Sequence, residues 1–325
     1  MRFRGGTEKF VTEVDSEMNK MGIESRIYSL DFNPKPALLS NIALSRLLAV
    51  RALKNGFDSL IFHQGHAAST WLRKARIVCY FHEVNYDNMA GDGVAHRLYK
   101  NLLAAIEHQL TQVVCNSEYV ASRLRVLIPE ANIRVVYPGV RQPTHNEKNP
   151  SRQDFCYFHS RIHPRKNQSF LVKVFEKLPY KLLLTGGTWD RRFRNYQTNL
   201  MREISRFSTI EIATNISDEQ YHDFLSESII FCFPARFEPF GLTLLEAMAY
   251  GKPIVALESG SVPEVLGTAG MTCKPELEEW RNTIKQLVLD SDLRSTLSKK
   301  SFARAKGFSW EKTAKDLVAT IEASG

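Results

Sequence analysis

The stretch RFEPFGLTLLEAMAYGKPIVA, residues 236–256, joins a Pro-Phe-Gly loop to a helical run and then to the start of an apolar, strand-like run. Just upstream, SIIFCFPA reads as a short buried strand, and Gly251 marks the end of the helix. Strand, loop, helix and strand in that order describe one unit of a parallel α/β sheet. Two glutamates, Glu238 and Glu246, are separated by seven residues within it. A helix turns 100° per residue, so eight steps along one helix would align them poorly. The helix instead begins near Gly241 or Leu242, which leaves Glu238 in the loop. Glu246 lies about one and a half turns in, and helical side chains lean back toward the N-terminus. The first amides of the helix are unpaired and partly positive, so they suit a phosphate. Both carboxylates can then address one ligand across the helix start, accepting hydrogen bonds from hydroxyls of the kind sugars carry. Spacing alone leaves a second reading open, a capping glutamate followed by a solvated one.

The same alternation runs outward in both directions. SRIYSLD, DSLIFHQ, ARIVCYFH, QVVCNS and IRVVYPG read as strands before a polar break, HNEKNPSRQ. DFCYFHS, YKLLLTGG, STIEIAT, SIIFCFPA, KPIVALES and MTCK follow it. Helical periodicity separates them, as in Phe10, Val14, Met18 and Met21. The fold class expected is therefore α/β with two Rossmann-like domains in tandem, divided at the break into residues 1–148 and 149–308. Parallel sheets bind ligands at the carboxyl ends of their strands, and two of them facing each other would form a cleft. In the closing segment, 309–325, Ser309 is a plausible N-cap, and Trp310, Ala314, Leu317, Val318 and Ile321 share one helical face. The start is unusual. MRFRGGTEKFVTEV reaches its glycine turn almost at once, so either the first strand of the N-terminal domain is missing or the start is misassigned.

Bulk composition excludes several classes. At 325 residues, 43% apolar and 24% charged, the chain is an ordinary globular protein that needs no disulfide or metal to build its core. Its five cysteines are far apart and lie mostly in strand-like runs, as reduced core cysteines do. No run approaches a membrane span, and no signal-peptide pattern opens the chain. The net charge of +8 suits an anionic membrane face or phosphorylated ligands. No nucleic-acid motif accompanies it.

Further candidates sit at loops. In SRIHPRKNQSF, Arg161 and Lys166 flank a Pro-containing turn and could clamp a diphosphate, with Arg165 as a competitor and a plain basic surface loop as the alternative. Gly5 and Gly6 precede a helix, where glycine allows close approach of a ligand or simply a turn. His82 and Glu83 in YFHEVNY fall at a strand's carboxyl end, where a neutral imidazole can bind substrate or move a proton. The D-x-D of residues 290–292 reads as a turn or cap rather than a metal site. His63 with His66, and His159 with His163, lack a third ligand at zinc spacing.

Together these residues resemble a family. FEPFGLTLLEAMAYGKPIVALESGSVPEVLG is similar to the E-x7-E signature of the retaining glycosyltransferases of family 4, with the double-Rossmann GT-B architecture. SRIHPRKNQ resembles that family's Arg-x4-Lys loop, RGGTEKFV its first glycine loop, and FSWEKTAKDL its closing helix, which packs back on the N-terminal domain. YFHEVNY and VVYPGV lean toward mannosyltransferases. The resemblance implies an N-terminal acceptor-side domain and a C-terminal nucleotide-sugar domain. It implies that Arg161 and Lys166 hold the donor diphosphate, that Glu246 binds the ribose, and that Glu238 contacts the transferred sugar. Phe240, Gly241 and Leu242 would lie near sugar and phosphate, Gly6 would approach the diphosphate, and His82 the sugar. No metal or other cofactor is expected, and the anomeric configuration would be retained. Ser261 stands where many relatives carry a second glycine, and TNIS replaces a commoner glycine turn at 214–217.

The function expected is transfer of a hexose, mannose being one candidate, from a GDP- or UDP-linked sugar to a glycan, lipid-linked or polysaccharide acceptor. The location expected is the cytoplasm, with peripheral contact at the membrane face allowed by the charge. A nucleotide-sugar 2-epimerase and a truncated relative that binds nucleotide without turnover are the competing readings.

Overall fold

The computed structural model describes residues 6–27, 49–63, 76–83, 112–143, 155–188 and 191–323. It is an α/β protein with two parallel sheets, one in each of two compact units. One unit spans Gly6–Gly139 and takes back Trp310–Gly325, and the other spans Val140–Ser309.

In the first unit, α1 (Gly6–Lys20) is followed by β1 (Ser59–His63), β2 (Arg76–Phe81), β3 (Gln112–Cys115), α2 (Glu118–Leu127) and β4 (Ile133–Val135). The strands lie side by side in sequence order, all parallel. Ser117 caps α2, its hydroxyl accepting the Val120 amide. The last helix, α10 (Trp310–Glu322), belongs to this unit. Phe10 of α1 holds them together, with its ring 4.2 Å from Tyr80 of β2 and 5.9 Å from Trp310 of α10, centroid to centroid. The buried face of α10 differs from the expected one. Thr313 and Thr320 are buried beside Trp310, Ala314 and Leu317, while Val318 and Ile321 are half-buried. Threonine tolerates this because its hydroxyl finds a backbone acceptor, Thr313 donating to the Tyr137 carbonyl at 2.7 Å. Met21 lies beyond the end of α1 and is exposed.

The expected strand at SRIYSLD does not form over 25–27, and its remainder lies outside the described residues. So do residues 1–5, where the expected absence of a first strand would be read, and 144–154, which hold most of the polar break.

The second unit contains β5 (Phe155–His159), α3 (Gln168–Phe175), β6 (Lys181–Gly186), α4 (Arg194–Ile204), β7 (Ile210–Thr214), α5 (Asp218–Glu227) and β8 (Ile230–Phe233). Then follow α6 (Leu242–Ala249), β9 (Ile254–Leu257), α7 (Val262–Leu266), β10 (Met271–Cys273), α8 (Leu277–Leu289) and α9 (Ser291–Ala305). Its six parallel strands run in the order β10-β9-β8-β5-β6-β7. The order reverses at β5, which pairs with β8 on one side and β6 on the other. That reversal opens a crevice at the carboxyl ends of β5 and β8, the usual ligand position in such sheets.

Helix α6 is apolar on almost every side, with Leu244, Leu245, Ala247, Met248 and Ala249 wholly buried. A helix that is apolar all round has to lie inside its domain. Asn215 adopts φ 57°, the left-handed conformation that asparagine tolerates in place of glycine. Asp290 caps α9 through the Leu293 amide, so this part of D-x-D is a helix cap. All five cysteines are free and buried, each on a strand.

At Gly186, the end of β6, the backbone meets the turn after β5. A methyl group there would lie 1.7 Å from the Ser160 carbonyl oxygen. Neither segment can yield easily, since Ser160 donates to Thr185 and Ile162 to Gly187, each at 3.0 Å. Gly186→Ala is therefore expected to lower unfolding free energy by about 3 kcal/mol or more, measurable by denaturant titration. A loss under about 0.5 kcal/mol would show that the two segments move apart freely.

Candidate active site

The site grows from the two loops at the reversal. After β5 the chain makes a short 3-10 turn, Pro164–Lys166, which starts on His163. The His163 imidazole accepts the Arg165 amide at 3.0 Å. Asn167 follows in the left-handed conformation, φ 61°, and is buried. Its side-chain amide fastens this loop to the loop after β8. Asn167 Nδ2 donates to the Pro234 carbonyl at 3.1 Å, and Arg236 Nε donates to Asn167 Oδ1 at 3.0 Å. The Arg236 amide donates to the Arg165 carbonyl at 2.9 Å.

These ties bring Lys166 and Glu238 together. Lys166 Nζ donates to Glu238 Oε2 at 2.5 Å, and the two side chains are only 14% and 8% exposed. Burial pushes the Lys166 ammonium below its ordinary pKa. Glu238 opposes that shift, while Arg165 and Arg161 add to it. The Phe233 ring lies 5.8 Å from the ammonium. Arg161 is half-buried beside this group, and among the described residues no hydrogen bond or ion pair holds its guanidinium. The site thus keeps one cation neutralised and a second available.

The backbone of Glu238 is fixed from behind. Its carbonyl accepts the Ser261 amide at 2.9 Å and the Ser261 hydroxyl at 3.0 Å. Gly260, at φ +56°, allows this approach, because a Cβ there would lie 2.2 Å from the Glu238 carbonyl oxygen. Ser261 has φ −82°, so a side chain is tolerated at that position. Helix α6 then starts at Gly241, φ 91°, with no side-chain cap. Phe240 is buried against Phe308, 6.1 Å between ring centroids. Glu238 does not cap α6: the cap position is Gly241, with no side-chain cap bond, and the Glu238 carboxylate is bonded to Lys166.

Glu246 is not a solvated residue either. It is 9% exposed, and its Oε2 accepts the Tyr221 hydroxyl at 2.6 Å. Tyr221 comes from α5, which opens with a capping box between Ser217 and Gln220. The His159 ring lies 4.4 Å from that of Tyr221. His159 Nδ1 and the Tyr157 hydroxyl are each 2.7 Å from the Thr185 hydroxyl. A buried polar layer therefore supports the helix that carries Glu246. Sequence reasoning missed Tyr221 and Thr185. A tyrosine in a short amphipathic helix reads as core, and nothing local points to a carboxylate 25 residues on.

Arg161, Lys166, Glu238, Phe240, Gly241, Leu242 and Glu246 all belong to the second unit. Gly6 and His82 belong to the first. Gly6 is the exposed first residue of α1. His82 directly follows β2, with its ring 5.1 Å from Phe10 and 4.8 Å from Tyr80, and its carbonyl accepts Asn116 Nδ2 at 2.6 Å. Among the described residues no cluster of three or more His, Cys, Asp or Glu side chains could hold a metal ion. Nor is any described helix long and apolar enough to cross a membrane.

Comparison with known proteins places the chain in a family. The model of the glycosyl transferases group 1 covers residues 141–304, which include the whole E-x7-E loop and helix. The chain belongs to this family. The model of glycosyltransferase family 4 matches residues 4–142 of this family member. O-antigen chain mannosyltransferase B of Escherichia coli is 27% identical over 212 residues, covering 62% of this chain and 50% of that protein. The chain spans about half the length of the curated relatives it matches. Among solved structures, sucrose-phosphate synthase from Thermosynechococcus elongatus superposes with TM-score 0.83 at 18% identity, covering 99% of this glycosyltransferase-family chain and 94% of the other. The Anabaena protein HepE, solved with UDP-glucose, gives TM-score 0.76 at 17% identity and coverages of 99% and 97%. These likenesses show the GT-B fold.

The Tyr221–Glu246 bond has a pH signature. Burial first, and then the Glu246 charge, raise the Tyr221 pKa well above its ordinary value of about 10. A raised folded pKa gives stability that is present below the unfolded pKa and lost above it. Tyr221→Phe is expected to cost about 1–3 kcal/mol at pH 7.5, because a buried carboxylate loses its donor. Above about pH 10 the gap between wild type and variant narrows, since only the wild type must ionise a buried phenol on unfolding. Denaturant titrations at both pH values check this, and a constant gap would contradict it.

Proposed function

We propose that this chain is a retaining glycosyltransferase that moves a hexose from a nucleoside-diphosphate sugar to a glycan, lipid-linked or polysaccharide acceptor. One observation carries the proposal. Arg161 and the buried Lys166 converge with Glu238 and the uncapped start of α6 at the carboxyl ends of two neighbouring strands. Such a constellation suits a diphosphate attached to a polyhydroxylated group. The UDP-glucose held by HepE and the mannosyltransferase name of the Escherichia coli relative support a nucleotide-linked hexose, with mannose or glucose as the leading candidates.

In this reading Arg161 and Lys166 bind the diphosphate, Glu246 the ribose and Glu238 the sugar hydroxyls. Phe240, Gly241 and Leu242 bring main chain to sugar and phosphate. By the family resemblance, Gly6 is assigned to the diphosphate and His82 to the sugar. The acceptor oxygen bonds to the anomeric carbon on the face the leaving group departs from. The bond from that carbon to the phosphate oxygen breaks, its electron pair stays on the diphosphate, and that oxygen takes the acceptor's proton. Stabilising the departing charge is the protein's largest contribution, and it falls to Lys166 and Arg161. No metal is required. Free, buried cysteines suit a reducing compartment, and we assign the enzyme to the cytoplasm, with peripheral membrane contact allowed.

Screening UDP-, GDP- and ADP-sugars for binding and transfer tests the reading, and no transfer or hydrolysis from any of them would refute it. With the active donor, Lys166→Ala is expected to lower kcat by a factor of about 10²–10³. Glu246→Ala should weaken donor binding. EDTA should leave the rate unchanged, and complete loss restored by manganese would overturn the metal-free mechanism.

A further inference from the structure

The Lys166–Glu238 pair creates a conflict. Lys166 is the cation assigned to the donor diphosphate, yet its ammonium is already bonded to a carboxylate at 2.5 Å in a site that excludes most solvent. A diphosphate reaching Lys166 must displace or share that carboxylate. The Glu238 backbone is held, its carbonyl accepting two bonds from Ser261 and its main chain packed against Gly260, so the carboxylate can yield only by side-chain rotation within a mostly buried site. Displaced, a carboxylate at this depth needs new donors, and leaving it without them is costly. A sugar attached to the diphosphate brings hydroxyls that can donate to it. A bare nucleoside diphosphate brings none and adds a second negative group beside it.

We propose that Glu238 is a stand-in for the diphosphate on Lys166, and that releasing it makes the site discriminate the sugar-bearing donor from the spent nucleoside diphosphate. The inference rests on the transferase reading above. It assigns Glu238 a role in specificity and product release in addition to sugar contact. The available Arg161 gives either nucleotide a first foothold, so discrimination arises at Lys166.

The test is a double-mutant cycle on nucleotide affinity, with UDP, GDP and ADP titrated in parallel with UDP-glucose, GDP-mannose and ADP-glucose by calorimetry. Glu238→Gln, which keeps the shape and removes the charge, is expected to bind the matching bare diphosphate on the order of tenfold more tightly than wild type. Its affinity for the sugar ester should gain less or fall. In a Lys166→Met background the gain should shrink severalfold, because no ammonium is left to compete for and only charge repulsion remains. An equal gain with or without Lys166 would mean that Glu238 acts only as a general repulsive charge, and would overturn the proposal. So would unchanged or weaker diphosphate binding by Glu238→Gln. Wild type alone gives a second reading that requires no variant to fold. It should bind the sugar ester more tightly than the bare diphosphate, and the reverse order would overturn the proposal. Failure of wild type to bind any of the six nucleotides would overturn the transferase reading itself.

Discussion

A lysine ammonium can remain charged inside a domain only if a fixed anion answers it. The burial of Lys166 therefore constrains everything around it. Glu238 must be within bonding distance, so the loop after β8 must lie against the loop after β5. That is possible because the strand order reverses there and makes β5 and β8 neighbours. Asn167 and Arg236 lock the two loops in register. Gly260 and Ser261 then hold the Glu238 backbone from the far side. A pair of opposite charges in this setting gains little over an apolar pair in stability. Its presence is better explained by what a ligand can do with it.

The alternation of apolar runs and amphipathic segments was enough to read the fold class and most strands of both sheets. The reason is physical: parallel strands buried on both faces must be short apolar runs, and the helices between them must cover them. The start of α6 was legible for the same reason, since a Pro-Phe-Gly loop cannot continue a helix and LTLLEAMA can. What the sequence hid were contacts between distant segments. Lys166 and Glu238 stand 72 positions apart, and Glu246 finds its donor on another helix. Thr313 and Thr320 read as polar positions, but their hydroxyls are satisfied by backbone carbonyls and the residues face inward. Neither pairing nor satisfaction is a local property, so neither leaves a periodic trace.

The two carboxylates of the E-x7-E segment differ in how they are held. Glu246 is anchored by a neutral phenol within a layer of hydroxyls and imidazole, a setting that changes little when a ligand arrives. Glu238 is held instead by an opposite charge, the ammonium of Lys166. The eight-position spacing makes this division possible. It puts one carboxylate on the rigid helix and leaves the other in the loop before it, where Lys166 of the loop after β5 can reach. Moving Glu238 into the helix would place it on a different face from Lys166. Moving Glu246 out of the helix would separate it from Tyr221. The spacing thus follows from two different partners, one for each glutamate, rather than from a shared helical face.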